Sequence, residues 1–184
     1  MLNLFIRLYY IEQFIKMNIL KNIFLFILTL TIMGCGPYSF SGISLPLETK
    51  TFQVNYFQNN APLIEPGLER DFKIALEDLI QNQTNLSLVT SNGDIVYEGE
   101  ITDYRISPTT ATSDNTAAQN RLTIAVKVHF YDKHDTDAEF DQRFFHFFDY
   151  AGSAQLVGSQ KTTAIEEIFE RITQDIINAS LAKW

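Results

Sequence analysis

Between Lys21 and Cys35 the chain carries no charged side chain, and Ile23 to Met33 is an apolar stretch of about eleven residues. That length falls within the ~7–15 residues of a signal-peptide core and well short of the ~20 needed to cross a bilayer. Lys21 supplies a positive flank, and Gly34 is the small residue before a cut. The stretch therefore divides the chain. Residues 1–34 read as an export segment, and only the remainder has to fold. Met17 opens a leader of ordinary length, so residues 1–16 read as an upstream start or as an additional amphipathic segment. Charge divides at the same place. Arg7, Lys16 and Lys21 against Glu12 give the leader +2, which against the whole-chain −8 leaves −10 from Cys35 onward. A portion this acidic repels phosphate backbones, which argues against nucleic-acid binding. It argues equally against adsorption to anionic lipid by charge alone.

Cys35 is the only cysteine, so no intrachain disulfide can form. The residues Ile32-Met33-Gly34-Cys35 resemble the lipobox of bacterial lipoproteins. The resemblance implies a diacylglycerol on the Cys35 thiol, cleavage just before it, and acylation of the new amine. One acyl chain anchors marginally, whereas two anchor stably. Residues 35–50, with Gly36, Pro37 and several serines and no clear period, then read as a lipidated tether. Residues 51–184 read as a single periplasmic domain.

Within that domain Phe52, Val54 and Tyr56 alternate with Gln53 and Asn55, the pattern of a half-buried strand. Leu68, Phe72, Ala75, Leu76, Leu79 and Ile80 follow at spacings of three and four, the stripe of an amphipathic helix. Leu86 to Val89 is a short extended run, and Asn92-Gly93 is a hairpin signal. A strand is predicted from Ile95 to Ser107, ended by Pro108. Residues 108–119 (PTTATSDNTAAQ) read as a loop. Leu122 to Phe130 alternates cleanly, and so does the next run, with Phe140, Phe144 and Phe148 on one face and Phe145 and Phe147 on the other. Aromatics on both faces predict a strand covered twice or one whose outer face awaits a partner. A final helix is predicted from Thr163 to Ala182. The order implies an α+β two-layer sandwich of about four mostly antiparallel strands, with two helices packed on one face.

Chemistry is sparse. No nucleophile motif and no phosphate-binding loop occurs. His129, His134 and His146 lack metal-ligand spacing, although a contact between His129 and His146 across neighbouring strands is conceivable. Glu98, Glu100 and Asp103 crowd one strand, but in so acidic a chain such crowding arises by accident. The acids from Asp132 to Asp141 lack the central glycine of a calcium loop and read as a solvated hairpin tip. No catalytic residue, metal or cofactor is therefore expected, apart from the covalent lipid on Cys35. The features are those of a binding or assembly module.

Four segments carry a more specific resemblance. They are Gly34-Cys35-Gly36-Pro37-Tyr38-Ser39-Phe40, Tyr56-Phe57-x-Asn-Asn, Gly99-Glu100-Ile101-Thr102-Asp103-Tyr104, and Asn120-Arg121-Leu122-Thr123-Ile124-x-Val126-Lys127-Val128. In order and spacing they resemble the LptE family of lipopolysaccharide-assembly lipoproteins. The resemblance spans nearly all of Cys35 to Trp184, in a branch distant from the enterobacterial members. It implies two helices on a mostly antiparallel sheet. It also implies an anchor in the outer membrane on its periplasmic side and a place inside the β-barrel LptD, as plug and assembly factor for lipopolysaccharide insertion. Arg105, Arg121 and Lys127 are the candidate contacts to the partner or to lipopolysaccharide phosphates, weighed against simple pairing with Asp103 and its neighbours. The run from Thr51 to Val89 also resembles the start of lipoprotein adaptors that regulate a peptidoglycan synthase or serve a secretion channel. That alternative stays open on the sequence.

Overall fold

A computed structural model describes residues 17–19, 21–22, 45–111, 117–152 and 154–182. Cys35, most of the leader and tether, and residues 112–116 lie outside the described residues, so the lipidation reading does too. Five strands order the domain: β1 (Thr51–Asn59), β2 (Ser87–Leu88), β3 (Ile95–Ala111), β4 (Ala117–Asp132) and β5 (Phe140–Ala151). Among the described residues of the domain, two α-helices, α1 (Leu68–Gln83) and α2 (Gly158–Leu181), and a 3-10 turn (Thr136–Ala138) join the strands. The strands form one sheet in the order β2-β1-β3-β4-β5. β1 pairs in parallel with both β2 and β3, whereas β3-β4-β5 is antiparallel. The expected α+β sandwich is present, with a fifth, two-residue strand and a mixed sheet in place of about four mostly antiparallel strands. The parallel part follows from α1, which carries the chain back between β1 and β2.

Both helices pack on one face of this sheet. Leu68, Phe72, Leu76 and Ile80 of α1 and Ile168, Phe169, Ile172, Ile176 and Ile177 of α2 are buried with Phe52, Val54, Phe57, Tyr97, Ile101, Leu122, Ile124, Val126, Val128 and Phe130 in one core. α2 begins five residues earlier than its periodicity predicts, because Gly158 to Thr162 adds a polar first turn with no apolar signal. Inside the core the Tyr97 hydroxyl is hydrogen-bonded to the Ser180 hydroxyl at 2.8 Å, which satisfies two polar groups that sheet and helix bury together. Burial pushes the Tyr97 hydroxyl far above its ordinary pKa.

Three local expectations change, each for a physical reason. The first is the inward face of β1. Its register to β3 slips between Val54 and Phe57, a bulge that reverses the alternation. Phe57 is therefore fully buried and Tyr56 is 64% exposed.

The second is Asn92-Gly93, which makes no hairpin. A hairpin needs its two flanking strands to pair with each other, and β1 lies between β2 and β3 and pairs with both. The segment instead crosses the start of β1, with Asn92 at φ 56° and the Gly93 N–H donating to Gln53 Oε1.

The third is Pro108, which does not end β3. The strand runs on to Ala111 and pairs with β4 from Ala117, so residues 108–111 and 117–119 are hairpin strand rather than loop. Proline is tolerated here because the ladder shifts register between Pro108 and Thr110. β1 also pairs with β3 only as far as Ile101, so among the described residues no strand pairs with that side of β3 at Pro108.

The crossing is held by Asp94. Its Oδ2 accepts the backbone N–H groups of Lys50 and Thr51, both at 3.0 Å, and the Thr51 hydroxyl at 2.8 Å. The Asp94 N–H donates back to Thr51 Oγ1. The Lys50 N–H first, then the Thr51 hydroxyl and N–H, hold the carboxyl far below the usual carboxylate range. The tether is thereby docked before β1 begins: Leu45 packs on the core and Thr49 is buried. Because the folded pKa is depressed, this contribution is complete above the unfolded value of about 3.9 and is lost as the pH falls towards the folded one. Asp94→Asn is expected to cost roughly 1–2 kcal/mol at pH 7, since it removes charge-assisted bonds. Thermal melts at a series of pH values check this. The gap between wild type and variant should be constant from pH 7 to 5 and close below pH 4. A gap that persists unchanged at pH 2 would remove the carboxylate from the account.

Candidate functional surface

With both helices on one side, the other face of the sheet has no covering layer among the described residues. On it β3, β4 and β5 bring several exposed cations and aromatics together. Cross-strand register sets the arrangement. Arg121 faces Asp149, Thr123 faces Phe147, Ala125 faces Phe145, and Lys127 faces Arg143, while Asp103 and Arg105 of β3 stand beside Ala125 and Thr123. Residues directly opposite in an antiparallel pair share a face. All three candidate residues, Arg105, Arg121 and Lys127, therefore lie on this surface.

Each of the three has a carboxylate. Arg121 binds Asp149 through two parallel bonds, Nε to Oδ1 at 2.7 Å and Nη2 to Oδ2 at 2.8 Å, the bidentate fork–fork geometry. Its guanidinium carbon also stands 3.6 Å from the centroid of the Phe147 ring. The Arg121 hydrogen bond holds the Asp149 carboxyl below its ordinary range, and the same bond raises Arg121. Lys127 Nζ lies 2.9 Å from Asp141 Oδ2. Arg105 Nε stands 3.6 Å from Asp103 Oδ2, which is also 3.7 Å from Arg143 Nη2. Arg143 reaches over Phe145 at 5.4 Å. Each of the three cations therefore has a carboxylate partner in this structure.

The sequence reading singled out Phe145 and Phe147 and placed Asp141 in a solvated hairpin tip, but missed Arg143 and Asp149. Asp141, Arg143 and Asp149 flank the two phenylalanines on one face of β5, and a period-two reading extended to charged residues would have found them. Phe145 is 54% and Phe147 39% exposed, yet Thr123 and Ala125 beneath them are buried. The rings and guanidinium groups therefore roof the centre of the sheet rather than project singly. Exposed aromatic rings stacked with arginine are the composition of a protein-contact surface.

No arrangement for catalysis or metal binding appears among the described residues. Glu98 accepts from Asn55 and Glu100 from Asn60, and Asp103 serves arginines. His129 and His146 lie on opposite faces: His129 stands 3.4 Å from Asp141, whereas His146 bonds Asp175 of α2 at 2.8 Å. His134 sits between Asp94 and Glu48. No group of three metal-binding side chains occurs among the described residues. Asp132 accepts the N–H groups of His134 and Asp135 and so shapes the β4–β5 turn. A groove between the helices has Ile74, Leu79, Ile165 and Phe169 in its wall and Asp71, Asp78, Glu166 and Glu170 beside them. Those carboxylates make it a poor seat for an anionic ligand.

Comparison with known proteins adds the family. The model of the lipopolysaccharide-assembly family LptE matches residues 49–180, which is the folded domain almost end to end. Among the curated proteins none matches the sequence significantly. Solved structures share the fold at low identity. Rare lipoprotein B from Shewanella oneidensis is 11% identical over 69% of this chain and 92% of its own, with a TM-score of 0.50. A hypothetical protein from Chlamydia trachomatis is 10% identical over 73% of this chain and 99% of its own, with a TM-score of 0.52. A protein from Xanthomonas campestris is 8% identical over 75% of this chain and 87% of its own, also with a TM-score of 0.52.

Proposed function

This chain belongs to the LptE lipopolysaccharide-assembly family, and from that premise we propose that it is an outer-membrane lipoprotein that plugs the β-barrel LptD and helps assemble it for lipopolysaccharide insertion. The diacylglycerol and acyl chains on Cys35 hold it on the periplasmic side, and the tether delivers the domain to the barrel. The observation that carries this reading is the family match across the whole folded domain. The physical character of the domain agrees with it. One layer of helices closes the core, and the opposite face offers paired charges and aromatic rings to a protein wall.

Contact with lipopolysaccharide phosphates has weaker support. Arg105, Arg121 and Lys127 each already have an aspartate, so a phosphate would have to displace a carboxylate rather than meet a bare cation. The net −10 from Cys35 onward opposes an anionic glycolipid as well. We assign the three residues to protein contact through the sheet.

The reading is tested by isolating the native lipoprotein from detergent-solubilised outer membrane. A large β-barrel protein is expected to co-purify in equimolar amount, and the intact mass of the lipoprotein should start at Cys35 with its lipid attached. Recovery with a peptidoglycan synthase, or with no barrel, would overturn it.

A further inference from the structure

β5 is an edge strand. β4 pairs with it along its whole length without a register shift, and among the described residues no strand pairs with its other side. An unpaired edge is a template for another strand, which proteins usually blunt with lysine, proline or a bulge. The strand FDQRFFHFFDYA has no lysine, proline or bulge, and its charges are Asp141, Arg143 and Asp149. Beside this edge a recess against α2 is lined by His146, Glu166, Glu167, Glu170, Arg171 and Asp175.

The sequence of this edge is symmetric. Outward from His146 stand Phe145 and Phe147, then Phe144 and Phe148, then Arg143 and Asp149. The aromatics form a palindrome, and the residues that flank them are opposite in charge. When two such strands pair antiparallel about a dyad at His146, Phe145 lies opposite Phe147 of the second copy on the outer face. Arg143 lies opposite Asp149 of the second copy, also on the outer face, and Phe144 lies opposite Phe148 on the inner one. Each of these pairs occurs twice by symmetry. Moving the dyad one residue along the strand destroys the match. At Phe145 it sets Asp141 against Asp149, and at Phe147 it sets Asp149 against Phe145. Opposite charges and aromatic pairs at directly facing positions are what stabilise antiparallel pairing, and like charges there oppose it. The charged groups are accessible, with the side chains of Arg143 and Asp149 48% and 32% exposed, whereas Phe144 is already buried in the core and adds little to the pairing. Each Asp149 oxygen that accepts from Arg121 keeps a second lone pair for the incoming guanidinium.

We infer that β5 is a self-pairing edge, through which two copies of this chain join antiparallel about His146 into one continuous sheet. The pairing is a property of the chain free of other proteins and does not depend on the barrel reading. Its occupant is a second copy because the complementarity is of the strand to itself.

The test is sedimentation of the full-length protein in density-matched detergent from about 1 to about 100 µM, the range in which an interface of modest area associates. Wild type is expected to pass from monomer to dimer. Arg143→Asp and Asp149→Arg should each weaken the dimer at least about tenfold, because each sets like charges face to face twice. Mixed in equal amounts they should form a heterodimer, since each then carries the charge the other lacks. His146→Cys supplies a second readout that survives any loss of stability in the Asp149 variant. Opposed Cα atoms at the dyad lie about 4.5–5.5 Å apart, within disulfide range. Oxidation should therefore link two copies in excess of the wild type, which carries only Cys35. Gln142→Cys, far from its own counterpart, should not link. A wild type that stays monomeric throughout, single variants that dimerise unchanged, a mixture that forms no heterodimer, or equal linking of the two cysteine variants would each overturn the inference.

Discussion

Phe72→Ala is expected to lower the stability of the domain by about 3–5 kcal/mol, the range for removing a fully buried phenylalanine. The residue is fully buried on α1, and its ring meets two others edge to face: Phe57 of β1 at 5.0 Å and Phe169 of α2 at 5.2 Å, both at 74°. It is thus the one side chain that ties the sheet, the first helix and the second into a single aromatic stack. Loss of the ring removes its own buried area and both edge-to-face contacts, and it opens a cavity between three elements that cannot all close on it. Against a total of about 5–15 kcal/mol, this is a large fraction. For a domain of this size it corresponds to a fall of about 10–15 °C in Tm. Thermal and urea unfolding of wild type, Phe72→Leu and Phe72→Ala measure it, with leucine expected to recover more than half. A loss below 1 kcal/mol for alanine would mean that the two helices are held on the sheet by something other than this stack.

Phe72 also marks how far the sequence was legible. Its place in the stripe Leu68, Phe72, Leu76 and Ile80 fixes both the helix and the buried face, because a 3.6-residue period survives without knowledge of the rest of the fold. The same holds for β4, where Leu122, Ile124, Val126, Val128 and Phe130 alternate and are all buried. What period cannot report is a change of period. The bulge that replaces Tyr56 by Phe57 leaves no local signal in β1, because Tyr-Phe reads equally well either way. Asn92-Gly93 was misread for a related reason: the pair signals a tight turn truly, but not which strands pair on either side of it. That depends on β1, some forty residues earlier.

The functional surface was legible in half. Phe145 and Phe147 stood out because they sit where a one-sided sheet needs polar groups. Arg143 and Asp149 did not, because charged residues on a strand's outer face are the default and gain meaning only from what lies across from them. Arg121 and Asp149 are 28 residues apart in sequence, and only the β4–β5 register makes them a bidentate pair. Cys35 lies outside the described residues, and its lipidation remains what the lipobox resemblance of Ile32-Met33-Gly34-Cys35 implies.

Gly99→Ala is expected to cost about 3 kcal/mol, at the upper end for forcing atoms into a packed site. An added Cβ at Gly99 would stand 2.0 Å from the Lys127 carbonyl oxygen and 3.1 Å from a ring carbon of Phe57. The first of these is backbone, which cannot rotate away. Relief requires β3 and β4 to separate where Gly99 pairs with Val128, or β1 to lift where Phe57 crosses the glycine. Either movement strips ladder hydrogen bonds at the centre of the sheet, not at its rim. The bulge in β1 and this glycine are therefore one device. The extra residue turns Phe57 into the core, and the missing side chain on β3 gives its ring room to lie against the strand. Gly158→Ala separates this overlap from the ordinary cost of a glycine conformation. At φ 58° with nothing within 4 Å, it should lose only about 1–2 kcal/mol, the backbone cost of a left-handed residue. Melting curves for the two variants, read with hydrogen exchange at Val128 and Phe57, distinguish the cases. If Gly99→Ala melts no lower than Gly158→Ala and leaves those amides protected, the close approach of β1, β3 and β4 is not what holds the centre of this sheet.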